Sequence, residues 1–248
     1  MATILITNDD GVGSEGLEVL ANAVSDLGEV WVVAPETESS AVGHGLTLRR
    51  PLRSRRLRDR VFSVDGTPTD CVNLALAEIL DKCPDLILSG INKGWNIGDD
   101  ITYSGTVGGA LEGCLLGISS IAFSQERHLA LKGDYDQAVK AGYQISKSVL
   151  SNGLDKGVFL NVNVPSTAAK GLKVTVQGKR SQEPSVEKGR DPKSEAFYWI
   201  GAARLDWAED LESDYHAVQS GWVSVTPCQV DWTAHHLIDG VNRLLING

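Results

Sequence analysis

Near its amino terminus the chain reads Asn8-Asp9-Asp10-Gly11-Val12-Gly13-Ser14-Glu15-Gly16, and two chemistries compete for these residues. From Gly11 the spacing is G-x-G-x-x-G, the pattern of a dinucleotide loop whose glycines let a pyrophosphate approach the backbone. Directly ahead of it stand two carboxylates, which repel each other and any phosphate brought near them. A divalent cation removes both repulsions. Two aspartates, joined by amide and hydroxyl oxygens, are the hard donors that Mg²⁺ or Mn²⁺ takes. The ordinary alternative is an Asp-Asp-Gly turn that only leads into a helix. A second stretch, Ser104-Gly105-Thr106-Val107-Gly108-Gly109-Ala110, leads from a loop into a helix. Free N–H groups at a helix start, with two hydroxyls beside them, suit a phosphate oxyanion. No Lys-Ser or Lys-Thr follows the glycines, so this is not a P-loop. Close packing of a small-residue helix accounts for Gly108, Gly109 and Gly113 as well.

The elements around these residues are those of an α/β domain. Thr3 to Thr7 reads as a strand, and Leu17, Leu20, Ala21, Val24 and Leu27 then recur at helical spacing up to Gly28. Val30 to Ala34 is a second buried strand ended by Pro35, so the chain opens with a βαβ unit and a parallel sheet. Thr67-Pro68-Thr69-Asp70 has the order N-cap, Pro at N1 and capping acid at N3, which starts a helix running to Leu80. Strands are expected at Asp85 to Ser89, Ser120 to Phe123 and Val158 to Val164, and helices at Thr106 to Leu116 and Asp134 to about Leu150. From Gly178 to Glu195 only Val186 is strongly apolar, which indicates a mobile loop or an exposed hairpin. Ala196 to Ile200 and Trp222 to Thr226 read as strands, and Asp239 to Ile246 as a terminal helix. The expected architecture is a single domain. It has a Rossmann-like three-layer core with a mainly parallel sheet to about residue 177, and a C-terminal extension over about 178–248 with a β-hairpin and terminal helix. That extension carries Trp199, Trp207, Trp222 and Trp232, a composition that suits a homodimer or homotetramer.

In open parallel sheets ligands bind outside the carboxyl ends of the strands. Strand one delivers Asn8, Asp9 and Asp10 there, strand two leads to Glu36, Glu38, Ser39 and Ser40, and the strand ending at Leu88 delivers Ser89, Gly90, Ile91 and Asn92. On the residues alone the hydroxyl donor is either Ser39 or Ser40. A net charge of -9 argues against general binding of nucleic acid or anionic membrane. No stretch approaches 18 consecutive apolar residues and no secretory leader is evident, so a cytoplasmic protein is expected. Cys71, Cys83, Cys114 and Cys228 lack C-x-x-C spacing and read as small buried hydrophobes. One segment breaks the acidic balance: Arg49 to Arg60 holds seven arginines and one acid. It reads either as a rim that steers phosphorylated substrates or as a solvated hairpin pairing with acids of another subunit, and charge runs favour the second.

Five ordered blocks carry a resemblance. They are Asn8-Asp9-Asp10-Gly11; Val33-Ala34-Pro35 with Ser40-Ala41-Val42-Gly43-His44; Gly66-Thr67-Pro68-Thr69-Asp70-Cys71-Val72; Ser89-Gly90-Ile91-Asn92-Lys93-Gly94; and Tyr103-Ser104-Gly105-Thr106-Val107-Gly108-Gly109-Ala110-Leu111-Glu112-Gly113. Together they resemble the SurE family of stationary-phase survival proteins, over about residues 1 to 125 closely and more loosely to the C-terminus. The resemblance implies a metal-dependent nucleotidase acting on nucleoside 5′- and 3′-monophosphates; the arginine run, read as a steering rim, adds short polyphosphate as a further substrate, and the net charge argues against a stable nucleic-acid complex. It implies one divalent ion per subunit, Mg²⁺ or Mn²⁺, held by Asp9, Asp10, Ser40 and Asn92, and so selects Ser40 over Ser39. Asp9 and Asp10 are then the catalytic acids, while Ser104, Gly105 and Thr106 hold the phosphate with Asn96 as a further contact. His44 either protonates the leaving group or braces its loop. Where the family commonly has proline before the asparagine, this chain has Trp95. Two rivals are a nicotinamide-dependent oxidoreductase using Gly11, Gly13 and Gly16 with Glu36 on the ribose, and a phosphatase with an aspartyl nucleophile. Adjacent acids argue against the first, and their lack of D-x-D spacing against the second.

Overall fold

The structure is a computed structural model describing residues 1–182, 185–200 and 205–246. The opening βαβ unit is present as β1 (Ala2–Thr7), α1 (Glu15–Ala23) and β2 (Gly28–Pro35). The arginine run forms the hairpin of β3 (Ser54–Arg58) and β4 (Val61–Val64). Thr67 caps α2 (Pro68–Leu74) with a complete capping box: its side chain accepts from Asp70 N–H, and Asp70 reaches back to Thr67 N–H. The helix then continues as a π-turn over Ala75–Ile79. β5 (Leu86–Lys93) leads through a 3₁₀ turn to α3 (Gly105–Leu115), β6 (Ser120–Gln125), α4 (Arg127–Leu131), α5 (Asp136–Asn152) and β7 (Val158–Val164). The remainder is β8 (Leu172–Val174), β9 (Arg180–Gln182), β10 (Val186–Arg190), β11 (Ala196–Ile200), β12 (Leu205–Trp207), α6 (Asp214–Gln219), β13 (Val223–Gln229) and α7 (Ile238–Ile246).

Nine strands form one sheet in the order β3-β4-β2-β1-β5-β6-β7-β13-β8. The six from β4 to β7 are parallel, β3 is antiparallel at one edge, and β13 runs antiparallel to β7. Buried apolar residues alternate between the faces as a strand period of two requires. Ile4, Ile6, Leu86 and Leu88 join Leu17 and Leu20 of α1 and Ile145 and Val149 of α5 on one side. Leu5, Val33 and Ile87 join Cys71 and Val72 of α2 on the other. Ala122 and Phe159 pack under Val107, Ala110 and Cys114 of α3. The result is the expected three-layer α/β arrangement.

β13 comes from beyond residue 177 yet lies inside the sheet between β7 and β8, so the stretch 178–248 is part core and part extension. Within the polar stretch 178–195, β9 pairs with β12, while β10 and the turn after it form an exposed hairpin with β11; residues 183 and 184 lie outside the described residues. Two cysteines depart from expectation: Cys71 and Cys114 are buried, but Cys228 is half-buried and Cys83 is exposed. Within the chain, Arg50 and Arg53 of the arginine run reach Asp65, Arg55 reaches Glu36 and Arg60 reaches Glu29, with the hairpin at the edge of its own sheet.

The chain order moves outward from β1 to β2 and β4, then returns to β5 on the other side of β1. The crevice between the carboxyl ends of β1 and β5 is therefore the topological switch point, where ligands of such sheets bind. Gly16 lets α1 pack closely on β5 beside it, because a Cβ there would stand 2.1 Å from the Ile91 carbonyl oxygen. A Cβ on Gly13 would meet nothing within 4 Å. Gly16→Ala is thus expected to lower the melting temperature by several degrees, as overpacking costs about 1–3 kcal/mol. Gly13→Ala in the same thermal melt is expected to shift it by about 1 °C or less, within the small effects of open sites.

Candidate functional site

A cleft of about 540 Å³ opens at the switch point, and Asp9, Asp10, Ser40, Asn92, Asn96 and Ser104 all line it. Asp9 and Asp10 follow β1 directly, and Gly11 then turns the chain at φ +96°, in the left-handed region. Asn8 holds this turn: its amide donates to Gly11 O at 3.2 Å and to Ser14 Oγ at 2.6 Å, while its Oδ1 is buried without a partner. Asp9 is buried, and its backbone carbonyl accepts from Ser39 N–H at 2.8 Å. Ser39 therefore serves the acid loop through its backbone, and its hydroxyl is buried away from the cleft. Ser40 lines the cleft and donates to Glu38 Oε1 at 2.7 Å. Asn92 extends the fifth strand beyond its expected end at Ser89. Its Nδ2 donates to Gly94 O at 2.9 Å, which leaves Oδ1 as its unengaged oxygen.

The phosphate-loop residues divide into two groups. Ser104 lines the cleft and caps α3, its Oγ accepting from Val107 N–H at 3.0 Å. Thr106 does not line it, for its hydroxyl donates to Asp9 Oδ1 in a short hydrogen bond. Gly105 makes that contact possible: a Cβ there would lie 2.9 Å from Asp9 Cβ. The start of α3 is thus wedged against the acid loop. Sequence spacing shows a hydroxyl at a helix start but not which way it faces.

Burial pushes the Asp9 carboxyl up to about 6, against the Thr106 hydrogen bond, with the charge of Asp10 adding to the rise. Burial also raises Asp10, opposed by Lys93 and assisted by Glu38. Lys93 N–H donates to Asp10 Oδ2 at 3.2 Å. Two adjacent acids held above their ordinary range at one crevice are short of positive charge. Among the described residues no three His, Cys, Asp or Glu side chains converge. The donor set is therefore mixed, two carboxylates with amide and hydroxyl oxygens, and such hard donors fit Mg²⁺ or Mn²⁺ with water completing the shell.

His44 is not in this cleft. It lines the adjoining cavity of about 620 Å³, which shares Ser104, and its Nε2 lies 2.5 Å from Oε2 of buried Glu112. Asn73 Nδ2 donates to the other Glu112 oxygen at 2.6 Å. With Gly43 N–H donating to Tyr103 O at 2.9 Å, this pairing ties the Ser40 loop to α3.

Asn96 is held from the next strands of the sheet. Its N–H donates to Asn163 Oδ1 at 2.8 Å, its side chain donates to Ser124 Oγ at 2.7 Å, and its carbonyl accepts from the Asn161 and Asn163 amides. Two residues on, Gly98 N–H donates to Asp214 Oδ2 at 2.8 Å, so α6 pins the same loop. Lys93, Trp95, Tyr103 and Arg127 also face the cleft and were not assigned roles by motif. Arg127 follows the carboxyl end of β6; reading that strand as ending at Phe123 rather than Gln125 hides it.

The family model described as Survival protein SurE matches residues 4–184. The chain is 46% identical over 243 residues to "5'-nucleotidase SurE" of Geotalea uraniireducens (strain Rf4), covering 97% of this chain and 98% of that one. It is 45% identical over 249 residues to "5'-nucleotidase SurE" of Aquifex aeolicus (strain VF5), covering 98% of each. A crystal structure titled as the SurE protein from Aquifex aeolicus superposes with a TM-score of 0.86 at 45% identity, covering 98% of this chain and 99% of that one.

Proposed function

The chain belongs to the SurE family, and from that premise we propose that it is a 5′-nucleotidase that hydrolyses nucleoside 5′-monophosphates, and 3′-monophosphates, at the Asp9–Asp10 cleft with one divalent metal ion. The observation that carries the metal dependence is the adjacent acid pair at the switch point, Asp9 buried and Asp10 half-buried, with Asn92 and Ser40 lining the same cleft. Asp9, Asp10, Ser40 and Asn92 would hold the ion. When bound, a divalent cation supplies a Lewis acid for a phosphate oxygen and lowers the pKa of a water. Asp10, half-buried and facing the cleft, would orient a water or take its proton as the water attacks phosphorus in line, the bond from phosphorus to the nucleoside oxygen breaking and that oxygen leaving with a proton from solvent. Ser104 donates to the transferring phosphoryl, and Asn96 fixes it from the opposite loop. Thr106 acts through Asp9, holding the carboxylate in one rotamer. His44 acts as a brace for the Ser40 loop.

The nicotinamide alternative finds no support in the comparisons, and no covalent intermediate is needed. Among the described residues no helix is long and apolar enough to cross a membrane. A homodimer or homotetramer is part of the proposal, supported by the exposed Tyr198, Trp199 and Ile200 of β11 and Leu244 and Leu245 of α7. The deciding experiment is phosphate release from a panel of nucleoside monophosphates and short polyphosphates. Turnover is expected with Mg²⁺ or Mn²⁺ and at least about a hundredfold less after chelation, a loss of about 2.7 kcal/mol in transition-state stabilisation. Equal rates with and without chelator would rule out the metal.

A further inference from the structure

The cleft carries aromatic side chains that phosphate chemistry does not use. Trp95 lies between two anchored neighbours. Gly94 N–H donates to Gln125 O at 2.8 Å, and Asn96 is clamped through both its N–H and its carbonyl by Asn161 and Asn163, which are wholly buried. The indole is anchored too, with Nε1–H donating to Val164 O at 2.5 Å. A tryptophan fixed at its backbone and at its ring nitrogen has little freedom left to lose on binding, so the surface it gives to the cleft is preorganised. Tyr103, 60% exposed, lines the same cleft directly before Ser104. Phosphate is recognised by positive charge and hydrogen bonds, which Lys93, Arg127 and the amide and hydroxyl groups of the lining already provide. Aromatic faces suit a planar heterocycle, because every base presents a π-face.

We propose that Trp95 and Tyr103 form a nucleobase subsite, with Trp95 as its fixed platform, so that the chain favours phosphomonoesters whose leaving alcohol carries an aromatic base over those of a bare sugar. The inference rests on the nucleotidase reading of the same cleft and extends it to specificity.

The test compares kcat and KM of the full chain, with Mg²⁺, for adenosine 5′-monophosphate and for ribose 5-phosphate, which lacks the base. Trp95→Ala is expected to raise KM for the nucleotide about tenfold, equivalent to about 1.4 kcal/mol and within the range for base–aromatic stacking. Both constants for ribose 5-phosphate stay within about twofold, since no stacking is lost there. Trp95→Phe, which keeps a ring and loses the N–H, recovers most of the nucleotide KM. Tyr103→Ala removes a ring from a residue that is 60% exposed, and decides the matter if Trp95→Ala fails to fold; a severalfold rise in nucleotide KM alone is expected. Equal losses on both substrates, or an unchanged nucleotide KM in the folded variants, overturn the subsite while leaving the nucleotidase reading in place. Wild-type protein that releases phosphate from neither ester overturns both.

Discussion

Asp10→Asn is expected to lower kcat for a nucleoside 5′-monophosphate by about a thousandfold at saturating Mg²⁺, equivalent to about 4 kcal/mol. Asparagine matches aspartate in shape and keeps an oxygen that accepts the Lys93 N–H, so the loop conformation has no reason to change. What disappears is one of two negative charges at the switch point. That charge both binds the cation and orients the attacking water in the proposed mechanism, so its loss falls on the transition state more than on substrate binding. KM for the nucleotide therefore moves less than kcat, and the affinity for Mn²⁺, read by titration calorimetry, falls at least tenfold by the same charge argument. The circular dichroism spectrum is expected to stay that of the parent. Near-normal turnover in this variant would remove Asp10 from the site.

Much of this arrangement is legible in the sequence, because the deciding residues sit on elements whose signals are local. β7 and β11 have the bounds that their apolar runs indicate, and the Thr67 capping box is complete in the structure as the order Thr-Pro-x-Asp requires. The rule that ligands gather at strand carboxyl ends brings Asp9, Asp10 and Asn92 to one cleft without any knowledge of register. The failures are those of long-range packing. Thr106 reads as a phosphate donor because a hydroxyl at a helix start usually faces open space, yet Gly105 lets α3 close onto Asp9 and turns that hydroxyl inward. His44 reads as either a general acid or a loop brace, and it is the fold, by bringing it to Glu112 68 positions away, that favours the brace. β13 inserts beside β7 from the far end of the chain, and the clamp of Asn161 and Asn163 on Asn96 joins residues 65 and 67 positions apart. Periodicity reports which face of an element is buried; it does not report what is buried against it.

Asp9→Asn is expected to separate stability from activity. The Asp9 carboxyl titrates at about 6 in the folded chain, against 3.8 for the free group, and burial is the main cause. A folded-state value raised in this way contributes stability that is fully present below about 3.8 and is lost as pH rises through about 6. At neutral pH the metal-free protein therefore carries an ionised, buried carboxylate that costs on the order of 2–3 kcal/mol. Asparagine removes the charge and still accepts the Thr106 hydroxyl, so the metal-free variant is expected to melt roughly 5 °C above the parent at pH 7.5. Near pH 4 the parent carboxyl is mostly protonated, and the two proteins are expected to melt within about a degree of each other. Divalent metal moves the two melting curves in opposite order: it stabilises the parent by occupying the acid pair and does little for the variant, which has lost half of the pair's charge. The same substitution is expected to cost nucleotide turnover on the scale of Asp10→Asn, since the charge that weakens the empty site is the one the reaction uses. Differential scanning fluorimetry at the two pH values, with and without Mg²⁺, reads all four melting temperatures. A metal-free variant at pH 7.5 that melts at or below the parent would show that the Asp9 charge is compensated by groups other than the cation, and would remove the physical reason for placing a metal there.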